Sequence, residues 1–367
     1  MPLPPVRADQ VGSLLRPESL RRAHSDHRRG HIDEAQLQET TDTAIRDAVR
    51  MQESCGLGAV SDGEFRRGSW FLGFVEAVHG IALAPVALRF AAEGLDAKSW
   101  QGPVVRDKLK RKRPIVADDF SYLKGVTTRI PKATLPTPSA MHFFGGRDGV
   151  DPAVYPDRQE FFADLAAIYQ EEIADLGARG CRYLQLDEVP LALLCDPTIR
   201  ASLRESGEDP ESLIDLYVGA VNAALAGRPA GMSVVMHLCR GNYRGRWMGQ
   251  GGYDPIAERL FNTLEVDGFL LEYDSERAGG FEPLRHLPAG KRAFLGLISS
   301  KSPVLETGSA LKRRLEEAFR HAPAASLGLC PQCGFASSAG GNPLAPDLQW
   351  AKLALAARTA QDVWGET

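Results

Sequence analysis

The sequence lacks the features that mark membrane, exported and nucleic-acid-binding proteins. It contains no run of about 18 uninterrupted apolar residues, so no membrane-spanning helix is predicted. The opening stretch MPLPPVRADQ has no apolar signal core, and we therefore expect a cytoplasmic protein. The formal net charge of −4 gives no electrostatic reason to expect binding to nucleic acid.

Cysteines are also few, and one nucleotide-binding motif is missing. Only 6 cysteines occur in 367 residues, and in the cytoplasm we expect them to be free, buried or metal-bound rather than paired as disulfides. No Gly-x-Gly-x-x-Gly segment follows the first apolar strand. That absence weakens the case for an open, doubly wound dinucleotide-binding sheet.

Short apolar strands alternate with helical segments along the chain. The eight candidate strands are Ala8–Ser13, Ala59–Glu64, Ala133–Ser139, Tyr183–Glu188, Ser233–Cys239, Gly268–Asp274, Ala293–Ser299 and Ser326–Cys333. The candidate helices between them include Thr41–Gly56, Asp157–Gly177, Ser212–Leu225, Pro255–Leu264 and Gly308–His321. Eight such units predict an α/β fold, a (β/α)8 TIM barrel of parallel strands. Residues 82–130 fit no strand–helix unit and are interpreted as an inserted hairpin or loop region after strand 2, at the barrel mouth. The whole chain, 1–367, is predicted to form one catalytic domain.

Polar residues occupy the carboxyl ends of the predicted strands, where barrel enzymes place their chemistry. These ends are Ser13, Asp62 with Glu64, Ser139, Asp187 with Glu188, His237 with Cys239, Glu272, Ser299 and Cys333. Helix capping explains some of the Asp and Ser residues, but not an imidazole, a carboxylate and two thiols on strands five, six and eight. The set His237, Cys239, Glu272 and Cys333 suits tetrahedral Zn²⁺. Cys330 competes with Cys333, because Cys-x-x-Cys also resembles half of a zinc ribbon.

Six motifs resemble those of the cobalamin-independent methionine synthase family, particularly its short, single-barrel members. In chain order they are VGSLLRP, DGEFRRG, LQLDE, HLCRGN, LLEYDSER and CPQCGFAS. The resemblance runs from about Val11 to Trp364 and implies a (β/α)8 barrel. It also implies an active-site zinc held by the same four residues that the strand ends single out.

The resemblance implies a zinc-dependent S-methyltransferase that converts homocysteine to methionine. Zinc coordination deprotonates a thiol, and the resulting thiolate is the nucleophile. The incoming thiol is expected to weaken or displace Glu272, the hardest ligand, which gives this residue a catalytic role as well. Two protein thiolates leave the metal electron-rich, which favours thiolate transfer over water activation.

The same resemblance assigns the binding of homocysteine. Its ammonium group would meet Glu64 and Asp187, while the segment around Gly12 and Ser13 would meet its carboxylate. Residues 66 and 67 are arginines that could instead pair with Glu64, and Asp187 could instead cap the following helix. Two acidic groups favour a cationic amine over an anionic sulfonate.

Three alternatives stay open. Alkyl transfer to coenzyme M, as in the related epoxyalkane transferases, would need cations such as Arg16, Arg240 or Arg244 around the sulfonate. A zinc-free barrel like uroporphyrinogen decarboxylase is a second alternative, and a non-catalytic methyl-binding or scaffold protein is a third. The intact zinc ligands and carboxylates count against both of these. The sequence does not decide the oligomeric state, and a homo-oligomer is compatible with it.

The methyl donor is unidentified, and one departure from the family bears on it. Full-length members carry a second barrel that helps to hold polyglutamylated folate, and an Asp-x-His-Ser segment after strand seven whose histidine serves as an acid. The matching stretch here runs from Ser299 to Ser302 and places Lys301 at the histidine position. A lysine is a poor acid at neutral pH, so we expect methyltetrahydrofolate to be a weak donor. A methylated corrinoid or a strained electrophile needs less acid assistance.

Overall fold

The computed structural model describes residues 3–86 and 101–367, and a parallel sheet organises its fold. The strands in chain order are β1 (Ala59–Val60), β2 (Val78–Pro85), β3 (Gln101–Arg111), β4 (Ile130–Pro131), β5 (Ala133–Pro136), β6 (Tyr183–Glu188), β7 (Ser233–Leu238), β8 (Gly268–Glu272), β9 (Arg292–Ile298) and β10 (Leu327–Pro331). Strands β5 to β10 pair in parallel with their sequence neighbours in one six-stranded sheet. The predicted α/β fold with parallel strands is confirmed.

Helices follow most of these strands and cover the sheet. The α-helices are α1 (Glu18–Arg28), α2 (Glu34–Ser54), α3 (Leu72–Ala77), α4 (Ala117–Val126), α5 (Ala140–Phe143), α6 (Arg158–Ala178), α7 (Pro190–Leu193), α8 (Pro197–Glu205), α9 (Pro210–Leu225), α10 (Ala257–Thr263), α11 (Gly308–Ala318) and α12 (Pro346–Trp364). Every residue of β5 to β10 is buried, as expected for parallel strands enclosed on both faces. Within the described ranges, no helix is long and apolar enough to cross a membrane.

Single contacts link the two ends of the sheet. Ala8 forms an isolated parallel bridge with Leu329 of β10. At the other end β4 leads into β5 and pairs in parallel with β1. The amide of Leu14 donates to the carbonyl of Gly63 at 3.1 Å, which joins the Ala8 segment to the chain after β1. These contacts lead from β10 through the Ala8 segment to the chain around β1 and on to β4, which is compatible with the predicted barrel.

The first two predicted strands are much shorter than expected. Ala8–Ser13 contributes only the bridge at Ala8, and Ala59–Glu64 contributes only β1. Both segments turn out of the extended conformation, because Gly12, Gly63 and Glu64 have φ angles of 125°, 69° and 59°. These turns end the strands early.

Most of the predicted helices are present in the structure, but their observed ends differ from the predicted ones, as α2 illustrates. The prediction began it at Thr41, whereas the structure begins it at Glu34. Asp33 accepts a hydrogen bond from the amide of Gln36 at 2.9 Å, and the Gln36 side chain accepts one from the amide of Asp33 at 3.0 Å. This capping box satisfies two amides that would otherwise lack partners and extends the helix toward its amino end.

The predicted insertion contains an antiparallel hairpin. Strands β2 and β3 pair from Val78 with Arg111 to Pro85 with Gln101, so the hairpin starts before residue 82. Helix α4 also lies in the predicted range of 82–130, while residues 87–100 lie outside the described ranges. Leu83 and Gln101 of the hairpin line the cavity that holds the candidate site.

Candidate metal and substrate site

Three of the four predicted metal ligands lie together at the carboxyl end of the sheet. His237 is in β7, Cys239 directly follows that strand, and Cys333 follows β10. One ligand atom from each residue lies within 4.8 Å of the others, and the two Sγ atoms are 3.7 Å apart. All three side chains are buried. His237 and Cys239 share one face because alternate residues of an extended chain point the same way.

The chemistry of this triad fits a soft divalent metal. Both ring nitrogens of His237 are buried and have no hydrogen-bond partner among the described residues, which is costly for an imidazole. The contact with Cys239, together with His237, lowers the pKa of Cys333 well below the usual thiol range, despite burial. The contact with Cys333, together with burial, raises the pKa of Cys239. An imidazole and two thiols of which one readily ionises are the ligands that Zn²⁺ prefers.

The structure separates Cys330 from Cys333. Cys330 is buried in the apolar cluster that contains Val235, Leu270 and Phe294. Burial raises the pKa of its thiol well above the ordinary value, so the thiol stays protonated. Cys333, three residues later, has left the strand and reaches His237. The geometry therefore favours Cys333 over Cys330, and the role of Cys333 as a metal ligand stays a prediction.

Glu272, the predicted fourth ligand, lies at the end of β8 and is not a member of the described triad. Its Oε1 accepts from Arg277 at 2.5 Å and from Lys301 at 3.3 Å, while its Oε2 accepts from the amide of Arg240 at 2.6 Å. Burial alone would raise the pKa of Glu272, but Lys301, Arg277 and Arg240 together lower it to about 2. Glu272 is therefore a fixed anion beside the triad, and its role as a metal ligand and catalytic group stays a prediction.

Lys301 lies in this ion-pair cluster. Its ammonium group contacts Glu272, and its side chain is only 7% exposed. Neither Lys301 nor Glu272 is among the described residues that line the adjoining cavity. The predicted catalytic role of Lys301 stays a prediction, and the geometry favours fixing of Glu272 over donation of a proton into the cavity.

One cavity of about 270 Å³ brings the triad and the predicted substrate-binding residues together. Its lining includes all six of these predicted residues, namely Ser13, Glu64, Asp187, His237, Cys239 and Cys333. They come from five separate parts of the chain, which the strand-end arrangement brings to one place. The cavity can therefore hold a small molecule with a metal-binding sulfur at one end and a cationic group near the two carboxylates.

Glu64 is held in a conformation that few residues other than glycine adopt. Its φ angle is 59°, its amide donates to Asp62 Oδ1 at 2.9 Å, and its Oε1 accepts from Thr134 Oγ1 at 3.1 Å. A Cβ atom at Gly12 would lie 3.0 Å from Glu64 Oε1 and 2.8 Å from the Thr134 side chain. Strained backbone of this kind is concentrated at functional sites. Burial raises the pKa of Glu64, although Arg67 opposes that effect.

Asp187 has one carboxylate oxygen fixed and the other without a partner. Gln185, two residues earlier in β6, donates from Nε2 to Asp187 Oδ1 at 2.7 Å. Asp187 Oδ2 is buried and has no hydrogen-bond partner among the described residues. Burial and then the nearby Glu64 raise the pKa of Asp187 to about 7. A bound cation would satisfy Oδ2 and favour the ionised carboxylate.

Two of the three arginines that could bind a sulfonate are hydrogen-bonded to backbone carbonyls. Arg16 donates to the carbonyl of Glu64 at 2.8 Å, and Arg240 donates to the carbonyl of Gly251 and stacks on the Tyr253 ring at 4.3 Å. Arg244 lies 6.0 Å from the ring centre of Tyr243. None of these three arginines is among the described lining residues of the cavity.

Sequence reasoning did not identify several residues that shape the site. Gln185 lies in the LQLDE motif at the spacing that puts it on the same face as Asp187, and this alternation was the available signal. Arg277 lies in LLEYDSER, but only the fold shows its contact with Glu272. Trp70 and Phe144 line the cavity, yet they come from loops with no periodic pattern.

Comparisons with known proteins show the family to which the chain belongs. A family model described as "Cobalamin-independent synthase, Catalytic domain" matches residues 7–350. The uncharacterized protein YxjH of Bacillus subtilis is 38% identical over 364 residues, covering 98% of this chain and 95% of YxjH.

Two solved structures share the fold. A protein of Listeria monocytogenes assigned as a vitamin-B12-independent methionine synthase has a TM-score of 0.78 and 32% identity, with complete coverage of both chains. A B12-independent methionine synthase from Shewanella sp. W3-18-1, in complex with selenomethionine, has a TM-score of 0.75 and 21% identity, covering 98% of this chain and 97% of that one. The chain therefore belongs to the cobalamin-independent methionine synthase family, whose catalytic domain it matches.

Proposed function

We propose that this protein is a zinc-dependent S-methyltransferase that methylates homocysteine to give methionine. The observation that carries the proposal is the single cavity shared by a buried His-Cys-Cys triad and two buried carboxylates. A triad without the carboxylates would fit any zinc protein, and carboxylates without the triad would fit any amine-binding protein. Together they match a substrate with a thiol at one end and an ammonium group at the other.

His237, Cys239 and Cys333 would hold the zinc, with Glu272 as the predicted fourth ligand. When bound, zinc lowers the pKa of a coordinated thiol and keeps the thiolate in place. Arg277 and Lys301 both donate to Glu272 Oε1, and these contacts would compete with the metal for that carboxylate. That competition supports the proposal that Glu272 gives way to the substrate thiol.

Glu64 and Asp187 would bind the ammonium group of homocysteine. Gln185 holds Asp187 through Oδ1 and Thr134 holds Glu64, so both carboxylates are oriented before the substrate arrives, and Asp187 Oδ2 has no partner among the described residues. Charge-assisted hydrogen bonds to them would offset the cost of burying two acidic groups. Ser13, which is buried and lines the same cavity, is the predicted contact of the substrate carboxylate.

The same lining disfavours coenzyme M as the acceptor. A sulfonate placed near Glu64 and Asp187 would meet two carboxylates, and none of the described lining residues is an arginine or lysine. Like charges in a water-poor cavity repel strongly. The cytoplasmic location, the single-domain organisation and the donor stay predictions.

The test is homocysteine binding to zinc-loaded protein by isothermal titration calorimetry, in buffers that report proton release. We expect Glu64→Gln and Asp187→Asn each to weaken homocysteine by roughly 10- to 100-fold, as loss of a charge-assisted contact does. Binding of 4-mercaptobutyrate, which lacks the amino group, should change little. Glu316→Gln, on the exposed face of α11, is the matched control and should bind homocysteine normally.

Two results would contradict the proposal. One is normal homocysteine affinity in both carboxylate variants. The other is tighter binding of coenzyme M than of homocysteine to the unaltered protein.

A further inference from the structure

We infer that the methyl donor of this site is a small methylsulfonium compound, a cation that transfers a methyl group and leaves as a neutral thioether. The inference rests on the proposed function and names the second substrate of the same cavity. Charge, aromatic lining, acid–base chemistry and size all point to this class of donor.

The charge of the cavity favours a cationic donor. Glu64 and Asp187 contribute two carboxyl groups to the lining, Arg67 and Arg16 act on Glu64 from outside the lining, and no arginine or lysine is among the described lining residues. Homocysteine brings one ammonium group, but it also brings a carboxylate and a thiolate. A cationic second substrate meets no arginine or lysine in the described lining, whereas an anionic donor meets the two carboxyl groups with no cation beside it there.

Aromatic side chains line the cavity and are available to such a cation. Trp70, Phe71 and Phe144 all line it, and the Trp70 ring centre lies 5.3 Å from that of Phe71 and 6.4 Å from that of Phe144. The thioether of Met248 lines the same cavity. Aromatic faces bind sulfonium and quaternary ammonium groups by cation–π attraction, in which tryptophan is the most effective ring.

The acid–base chemistry of the site suits a sulfonium. Departure of an amine requires a proton, but His237 is committed to the triad and Lys301 is paired with Glu272. In sulfonium transfer the homocysteine sulfur forms a bond to the methyl carbon as the carbon–sulfonium bond breaks. The electron pair of the broken bond stays on the departing sulfur, which becomes a neutral thioether. The only proton released is the one that homocysteine loses on forming its thiolate.

The size of the cavity limits the donor to a small molecule. About 270 Å³ is near the lower end of ligand pockets and must also hold homocysteine. A trialkylsulfonium fits beside an amino acid of that size, whereas a corrin ring would have to stay outside the cavity.

The experiment combines binding and transfer with the zinc-loaded protein. Choline and its neutral isostere 3,3-dimethylbutanol are titrated in the presence of homocysteine, and we expect choline to bind at least about tenfold more tightly. S-Methylmethionine carrying ¹³C in a methyl group is then supplied with homocysteine, and mass spectrometry follows labelled methionine. We expect transfer of the label from the sulfonium, at a rate above that from methylcobalamin or methyltetrahydrofolate.

Two variants connect the result to the aromatic lining. Trp70→Leu should raise the KM for S-methylmethionine about tenfold while leaving homocysteine affinity unchanged. Trp350→Leu is the matched control, because Trp350 is likewise half-buried but lines a different groove, and it should leave both values unchanged.

The two proposals fail in different ways. Normal homocysteine binding with label transfer only from methylcobalamin or methyltetrahydrofolate would overturn the sulfonium inference and keep the proposed function. Equal binding of choline and dimethylbutanol would also overturn the inference. Absence of homocysteine binding would instead contradict the proposed function itself.

Discussion

Gln185 donates a hydrogen bond from its Nε2 to Oδ1 of Asp187, 2.7 Å away and two residues along β6. Its Oε1 accepts from Lys132 at 2.9 Å, and Lys132 in turn donates to Asp9 Oδ1 at 2.8 Å. All four side chains are buried. Gln185 therefore connects a buried ion pair to the carboxylate that faces the cavity, and it leaves Asp187 Oδ2 for a substrate.

We expect Gln185→Leu to weaken homocysteine binding by roughly 5- to 20-fold without loss of zinc. Leucine keeps the volume but removes the donor that orients Asp187, so the carboxylate can rotate away from the substrate; one charge-assisted hydrogen bond has about this value. Calorimetry gives the homocysteine affinity, and elemental analysis gives the zinc content.

The control for this substitution is Gln349→Leu. Gln349 is also a buried glutamine, but its Oε1 accepts from the amide of Leu15 and it does not line the cavity. It should lose stability and keep homocysteine affinity. Equal affinity loss in both variants would mean that Gln185 acts through general stability rather than through Asp187.

We expect about one zinc per chain, held through Cys239 and Cys333. Cys239→Ser and Cys333→Ser should each lower zinc affinity by more than about tenfold, because a hydroxyl is a much poorer zinc ligand than a thiolate. Cys330→Ala tests the neighbouring cysteine of the same motif and should retain zinc, since Cys330 lies in the apolar cluster. Elemental analysis after dialysis measures all three. Full retention in both serine variants would contradict the assigned site.

Much of this site could be predicted because strand order limits where side chains meet. His237, Cys239 and Cys333 were identified from the ends of predicted strands, and parallel pairing brings those ends to one edge. The contacts of Glu272 could not be found in this way. They depend on where the loops after β8 and β9 carry Arg277 and Lys301, and loop paths follow from packing rather than from local pattern.

The secondary structure, too, could be predicted from the sequence only in part. Apolar runs located the buried strands β5 to β10, whereas α12 was not singled out as a helix. Its buried face includes Gln349, Lys352 and Thr359, which interrupt the apolar stripe that marks a helix in sequence. Lys352 can be buried because its ammonium group donates to the carbonyl of Val304 and, at 2.8 Å, to the carboxylate of Glu306, 46 positions away. Local periodicity cannot anticipate such a pairing.

Stability should fall as the pH rises from about 5 to about 7. Burial raises the pKa of Glu188 from its ordinary 4.5 to about 7, so in this window the folded protein keeps a proton that the unfolded chain has lost. The state that binds more protons is stabilised at low pH, and here that is the folded state. Raising the pH to above 7 therefore lowers the free energy of unfolding by at most about 3 kcal/mol.

Glu188→Gln should make that pH dependence shallower in metal-free protein. Glutamine cannot ionise, and the Ser139 hydroxyl can turn to accept from its amide. Asp187, whose pKa is also about 7, should preserve part of the slope. Urea unfolding at pH 5 and pH 8 measures the difference, with Glu316→Gln as an exposed control. An unchanged slope would exclude Glu188 as its source.

Methyltetrahydrofolate should be a weak methyl donor for this protein, for two reasons: its leaving group lacks the predicted acid in the described cavity lining, and its tail lacks a cation there. Its amine leaving group must be protonated, but Lys301 contacts Glu272 at 3.3 Å and does not belong to the described lining. Its polyglutamate tail is anionic, and the described lining offers it no arginine or lysine. We expect methionine formation from methyltetrahydrofolate well below about 1 s⁻¹, and no gain from lengthening the glutamate tail.

Lys301→His separates the two reasons, because it supplies a better acid without adding a cation for the tail. A rise in turnover with the monoglutamate alone would identify leaving-group protonation as the missing element, whereas turnover of about 1 s⁻¹ or faster in the unaltered protein would contradict the prediction.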